Sequence, residues 1–118
     1  NLDDIQGGFE TYPEGDYRLR INKWELKTSD EGKQHILWTA DIFGNDTKKL
    51  NGKKIWFRTF LGEASLWYLK MFLEAAGGAW TKKGFDPEGL LGKEVGATVI
   101  ISNYEGDDRN EVKKFMKI

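Results

Sequence analysis

The residues of this 118-residue chain best suited to chemistry fall between positions 53 and 61, Lys-Lys-Ile-Trp-Phe-Arg-Thr-Phe-Leu. Side chains along a strand alternate between two faces. Ile55, Phe57 and Leu61 therefore share one face, and Lys54, Trp56, Arg58 and Phe60 share the other. A face that alternates cation and ring is poorly suited to a core. It suits a polyanion that carries flat rings: the cations take phosphates, and each base stacked on an aromatic side chain is worth about 1–3 kcal/mol. Arg18 and Arg20 point outward in the same way from an earlier strand whose Leu19 and Ile21 point inward. The first and third strands are expected to lie side by side, with Leu37 and Thr39 completing one open face. Tyr104 and Arg109, in a polar turn over residues 104–109, and the loop from Lys27 to Lys33 are expected to flank it. The expected nucleic-acid contacts are thus Arg18, Arg20, Lys54, Trp56, Arg58, Phe60, Tyr104 and Arg109.

Other chemistries find few residues to work with. His35 is the only histidine; it stands mid-strand with no cysteine or second histidine to share a metal, and is expected to be solvated. Asp107 and Asp108 lack the alternating ligands of a calcium loop and read as turn formers. Gly84 and Gly89 have phosphate-loop spacing, but Leu90 stands where lysine is required. No nucleophile and base can be paired, so neither an enzyme, a cofactor nor a metal is expected. The absence of cysteine excludes disulfides, and no run of about 20 apolar residues or charged leader occurs, so a cytoplasmic protein without membrane contact is expected. Net charge is −1, yet residues 17–58 hold ten Lys and Arg against five Asp and Glu, while residues 1–16 hold five acids and no Lys or Arg. A polyanion site belongs in the first half of the fold.

The elements that must position these residues are legible as periods. Over residues 16–26 the apolar phase slips from Tyr17, Leu19 and Ile21 to Trp24 and Leu26, as a β-bulge requires. A turn at residues 29–33 leads to a strand over 34–43 with Ile36, Trp38, Ala40 and Ile42 on the core face. Residues 44–52 form a loop before the third strand. After Gly62 the period changes to 3.6, predicting a helix over 63–76 with Leu66, Leu69, Leu73 and Ala76 inward, Trp67 on the polar side, and Gly77-Gly78 as its stop. Asp86 caps a short helical turn at Pro87. Strands over 94–102 and 110–118 close the chain, with Val95, Ala97, Val99 and Ile101 sharing one face and Val112, Lys114, Met116 and Ile118 another. The order β-β-β-α-β-β, mainly β with one helix between strands 3 and 4 and a bent first strand, is that of a five-stranded OB-type Greek-key barrel. Residues 1–12 are expected to be a flexible N-terminal segment and residues 13–118 a single domain.

Several stretches, Pro13-Glu14-Gly15-Asp16-Tyr17, Ser29-Asp30-Glu31-Gly32-Lys33, Gly52-Lys53-Lys54-Ile55, Leu73-Glu74-Ala75-Ala76-Gly77, Phe85-Asp86-Pro87-Glu88-Gly89-Leu90-Leu91-Gly92-Lys93 and Asn110-Glu111-Val112-Lys113, resemble a family of small bacteriophage proteins of replication and recombination modules. That family is similar to phage single-stranded DNA-binding proteins of OB fold. The resemblance implies single-stranded DNA as ligand, phage or host replication and recombination proteins as partners, and the cytoplasm of an infected or lysogenic bacterium; a homo-oligomer is one expected assembly. Its motifs are turns and core positions, so it carries over no functional residue. Binders of this kind often end in an acidic tail, whereas the last residues here are Lys113, Lys114, Phe115, Met116, Lys117 and Ile118. The rival expectation is an OB-like adaptor or inhibitor whose Trp56, Phe60 and Trp67 meet a protein and which binds no nucleic acid.

Overall fold

The phase slip of the first strand is a real bulge. In the computed structural model, which describes residues 11–78 and 84–118, β1 (Gly15–Thr28) pairs antiparallel with β2 (Gln34–Phe43). Ile21 lies opposite Ala40 and Lys23 opposite Thr39, which leaves Asn22 as the extra residue. Beside the bulge, the Ile21 N–H donates to the Lys93 carbonyl at 2.9 Å and the Ile21 carbonyl accepts from Gly92 at 2.8 Å. The turn after β1 closes as expected: the Ser29 N–H donates to the Lys33 carbonyl at 2.8 Å and Gly32 donates back to Ser29 at 2.9 Å.

Strand β3 (Lys54–Phe60) pairs with β2, helix α1 (Leu66–Ala76) follows a short 3-10 turn, and β4 (Glu94–Tyr104) and β5 (Asp107–Met116) form the last hairpin. All pairs are antiparallel, and the sheet order is β3-β2-β1-β4-β5. The architecture is thus mainly β, one five-stranded sheet with a helix between β3 and β4. The expected adjacency of the first and third strands is corrected: β2 runs between them, because each short connection pairs a strand with its successor.

The sheet curls until its two edges meet over α1. Phe57 of β3 and Phe115 of β5 stand 4.9 Å apart between ring centroids, and Phe72 of α1 packs against both, at 5.1 and 4.9 Å. Trp38, fully buried in β2, packs on Phe72 at 4.9 Å and donates its indole N–H to the Thr59 hydroxyl at 2.9 Å. Leu19, Ile21, Leu69, Val95 and Val99 fill the rest of the interior. Gly77 ends α1 at φ 76°, and the Gly78 N–H donates to the Leu73 carbonyl at 2.8 Å, the left-handed stop the Gly-Gly pair promised. Asp86 caps the turn over Pro87–Leu90, its carboxylate accepting from the Glu88 N–H at 3.0 Å.

The last hairpin departs from expectation in two ways. The polar turn over 104–109 is only two residues long: Glu105 and Gly106 both have positive φ, 51° and 88°, the mirror-image turn whose twist matches that of flanking strands. Tyr104 pairs with Asp107 and Asn103 with Asp108, so Asp107 and Asp108 are strand residues rather than turn formers. The register also slips between Thr98 and Val99, leaving Lys113 unpaired as a second bulge. Val112 and Phe115 consequently both point inward; Ile101, which shares a face with the buried Val95, Ala97 and Val99, is 37% exposed.

Thr59→Val keeps the shape of the buried site but leaves the Trp38 indole N–H without an acceptor. The expected loss is about 1–3 kcal/mol, read as a lower urea midpoint at unchanged slope.

Candidate nucleic-acid interface

The outward residues of β1, β2 and β3 line up in rows across the sheet. Arg18 stands opposite Phe43; Arg20 opposite Asp41 and Lys54; then, past the bulge, Lys23 opposite Thr39 and Trp56, Glu25 opposite Leu37 and Arg58, and Lys27 opposite His35 and Phe60. The extra residue at Asn22 keeps this face continuous. Were Asn22 paired in register instead, Lys23, Glu25 and Lys27 would point inward and Trp24 outward. Arg18, Arg20, Lys54 and Arg58 are all exposed, and Trp56 and Phe60 are half-buried.

Between these rows lies a groove of about 270 Å³ lined by Lys23, Glu25, Lys27, Leu37, Thr39, Trp56 and Arg58. Trp56 and Arg58 form one wall on β3, while Lys23, Glu25 and Lys27 form the other on β1. Lys23 and Glu25 were not among the expected contacts. The signal was the slip at residues 21–24: carried one step further, it turns the odd residues after the bulge outward.

Several cations already have acidic neighbours. Lys54 Nζ stands 2.6 Å from an Asp41 carboxylate oxygen, and Arg20 binds Glu94 through Nε at 3.0 Å and Nη2 at 2.6 Å while its guanidinium lies over Phe43. Exposed pairs of this kind contribute about 0–1 kcal/mol, so a phosphate can exchange with the carboxylate at little cost. Glu25 is held between Lys23 at 2.7 Å and Lys27 at 3.3 Å. Hydrogen bonds from these two lysines keep its carboxyl below the usual carboxylate range. Arg18 and Arg58 make no ion pair among the described residues.

His35 corrects the expectation of a solvated histidine. It is 5% exposed, because Phe60 from β3 lies over it with ring centroids 4.7 Å apart. Its Nδ1 is buried without a partner among the described residues. Burial pushes the imidazole below its usual pKa; the Lys33 backbone opposes this, and the charges of Arg58 and Lys27 add to it. Phe60 is therefore already committed to a ring, which leaves Trp56 as the aromatic of the groove.

Arg109 does not line this groove among the described residues. Tyr104 ends β4, and its side chain lies outside the described residues. Arg109 is half-buried opposite Ser102. Their hairpin instead approaches the Lys54 end of the face through Tyr12, whose hydroxyl donates to the Lys54 carbonyl at 3.0 Å and whose N–H donates to Asn110 Oδ1 at 2.7 Å. Residues 1–10 of the expected flexible segment lie outside the described residues; Tyr12, near its end, is tied to both β3 and β5. Trp67 on α1 is 66% exposed, as its place on the polar side predicted. Among the described residues no group of three metal-ligating side chains gathers, and no helix is long and apolar enough to cross a membrane.

Residues 2–118 match the family described as a protein of unknown function, DUF669, and the chain belongs to that family. No curated protein matches it.

The buried imidazole makes stability pH-dependent. With its folded pKa depressed, His35 binds a proton more readily in the unfolded chain, so its contribution is full above about pH 6.5 and falls as the pH drops below that value. His35→Gln is expected to flatten the decline in thermal midpoint between about pH 7.5 and 5.5, a range above the carboxylate titrations.

Proposed function

We propose that this DUF669 member is a non-catalytic single-stranded DNA-binding protein acting in replication or recombination, built as an OB-type barrel. The strand order β3-β2-β1-β4-β5, the bulged β1, the helix after β3 and the meeting of Phe57 with Phe115 support the barrel. One observation carries the functional reading: a half-buried tryptophan stands in a groove whose rims carry Lys23, Lys27 and Arg58, on a face that continues to Arg18, Arg20 and Lys54. Trp56 offers a stacking surface and the cations offer phosphate contacts about two residues apart along each strand, a spacing of roughly 6.7 Å. A duplex hides the faces of its bases, so such a groove selects a single strand. The phage setting and the replication or recombination partners follow from the family resemblance read in the sequence.

The exposed Trp67 favours a second reading, in which α1 contacts a partner protein. In its strong form the module binds protein and no nucleic acid.

Titration of the chain with oligo-dT, followed by tryptophan fluorescence at several salt concentrations, separates the two. Quenching with an affinity that falls as salt rises is expected; no quenching and no binding at low salt would rule out the DNA reading. Trp56→Ala should weaken binding by about 1–3 kcal/mol with its salt dependence nearly intact. Arg58→Ala should instead lower the slope of log affinity against log salt by about 0.7, the loss of one phosphate contact. A matching loss of thermal stability in Trp56→Ala would identify Trp56 as a packing residue.

A further inference from the structure

The walls of the groove are chemically unequal. Its β3 wall offers the Trp56 ring and the Arg58 guanidinium, and its floor on β2 is Leu37 and the nearly buried Thr39. Its β1 wall offers two ammonium groups with a carboxylate between them. Neighbouring strands stand about 4.8 Å apart, so the two walls are roughly 9.6 Å from each other. A ring stacked on Trp56 lies about 3.5 Å from it, one row along the sheet from Glu25, which stands opposite Arg58. The groove volume of about 270 Å³ falls below the roughly 300–1,000 Å³ of sites for larger ligands, and suits one base.

Among the described side chains lining the groove, Glu25 is the one that accepts hydrogen bonds and cannot donate them. A carboxylate beside phosphates is unfavourable unless it receives a donor from the ligand. A carboxylate has about four lone-pair sites, and the two lysines occupy part of that capacity while fixing its position. One of the two lysines can turn to a phosphate while the other holds the carboxylate, which keeps lone pairs for a donor on the base edge. Cytosine presents an amino group there, whereas thymine presents a carbonyl oxygen at the corresponding position.

We propose that Glu25 reads the exocyclic amino group of the base stacked on Trp56, so that the groove prefers cytosine to thymine in single-stranded DNA. The preference rests on the single-strand reading above and adds to it a residue that sets base specificity. Lys23 and Lys27 are positioning residues for Glu25.

The test compares oligo-dC with oligo-dT of equal length, titrated into the full chain at pH 7.5 and low salt. Wild type should bind oligo-dC about 10- to 150-fold more tightly, the size of one hydrogen bond to a charged acceptor after exchange with water. Glu25→Gln should bring the ratio close to one, because an amide can accept from cytosine through its oxygen and donate to thymine through its nitrogen. It should also tighten oligo-dT binding, since a charge facing phosphates and the thymine carbonyl is gone. Equal affinities in wild type, or a cytosine preference that survives in Glu25→Gln, overturn the role of Glu25 and leave single-strand binding standing; a surviving preference would mark Glu25 as a spacer between two lysines. No binding of either oligonucleotide overturns both.

Discussion

One additional residue in β1 governs both faces of the sheet. Because β1 alternates inward and outward, Asn22 must be left out of register for Leu19 and Ile21 to meet the core before it while Lys23, Glu25 and Lys27 face solvent after it. Remove the bulge and three charged side chains turn toward Trp38 and its neighbours. On the other edge of β1 the Ile21 backbone bonds Gly92 and Lys93, continuing the pairing with β4 and seating the segment that leads into it. The bulge thus joins the core and the cationic face.

The curl of the sheet rests on rings rather than on a closing ladder of backbone bonds. Phe57, Phe72, Phe115 and Trp38 interlock from three strands and the helix, and the Trp38 indole finds its acceptor inside the cluster at Thr59. This arrangement pulls β3 towards β5 while leaving the opposite surface of β1, β2 and β3 open. The outward face is then strongly charged although the whole chain carries a net charge of only −1. Arg20, Lys54 and Lys23 each sit beside a carboxylate, so the face is cationic but locally compensated. A ligand with phosphates would meet cations whose acidic neighbours hold them in place without binding them tightly.

The sequence carried most of the element plan. The bounds of β2, the slip in β1, the helix and its Gly77 stop all follow from patterns within about ten residues, where local periodicity and backbone preference act directly. The short mirror-image turn at Glu105-Gly106 was hidden because a non-glycine residue adopts positive φ there, a conformation that only the pairing of both strands enforces. The bulge at Lys113 was hidden for a similar reason: Val112 and Phe115 look out of phase until β4 is laid beside them.

At the candidate site the division falls in the same way. Alternation alone determined that Lys54, Trp56 and Arg58 share one face of β3 and that Arg18 and Arg20 share one face of β1, because the pleat of a strand leaves no other arrangement. Tertiary structure decided which of them are neighbours. It put β2 between β1 and β3, covered His35 with Phe60, and set Lys23 across from Trp56 and Glu25 across from Arg58. Those outcomes depend on register between strands that are distant in sequence, and register is settled by the packing of the buried face rather than by the residues that the open face displays.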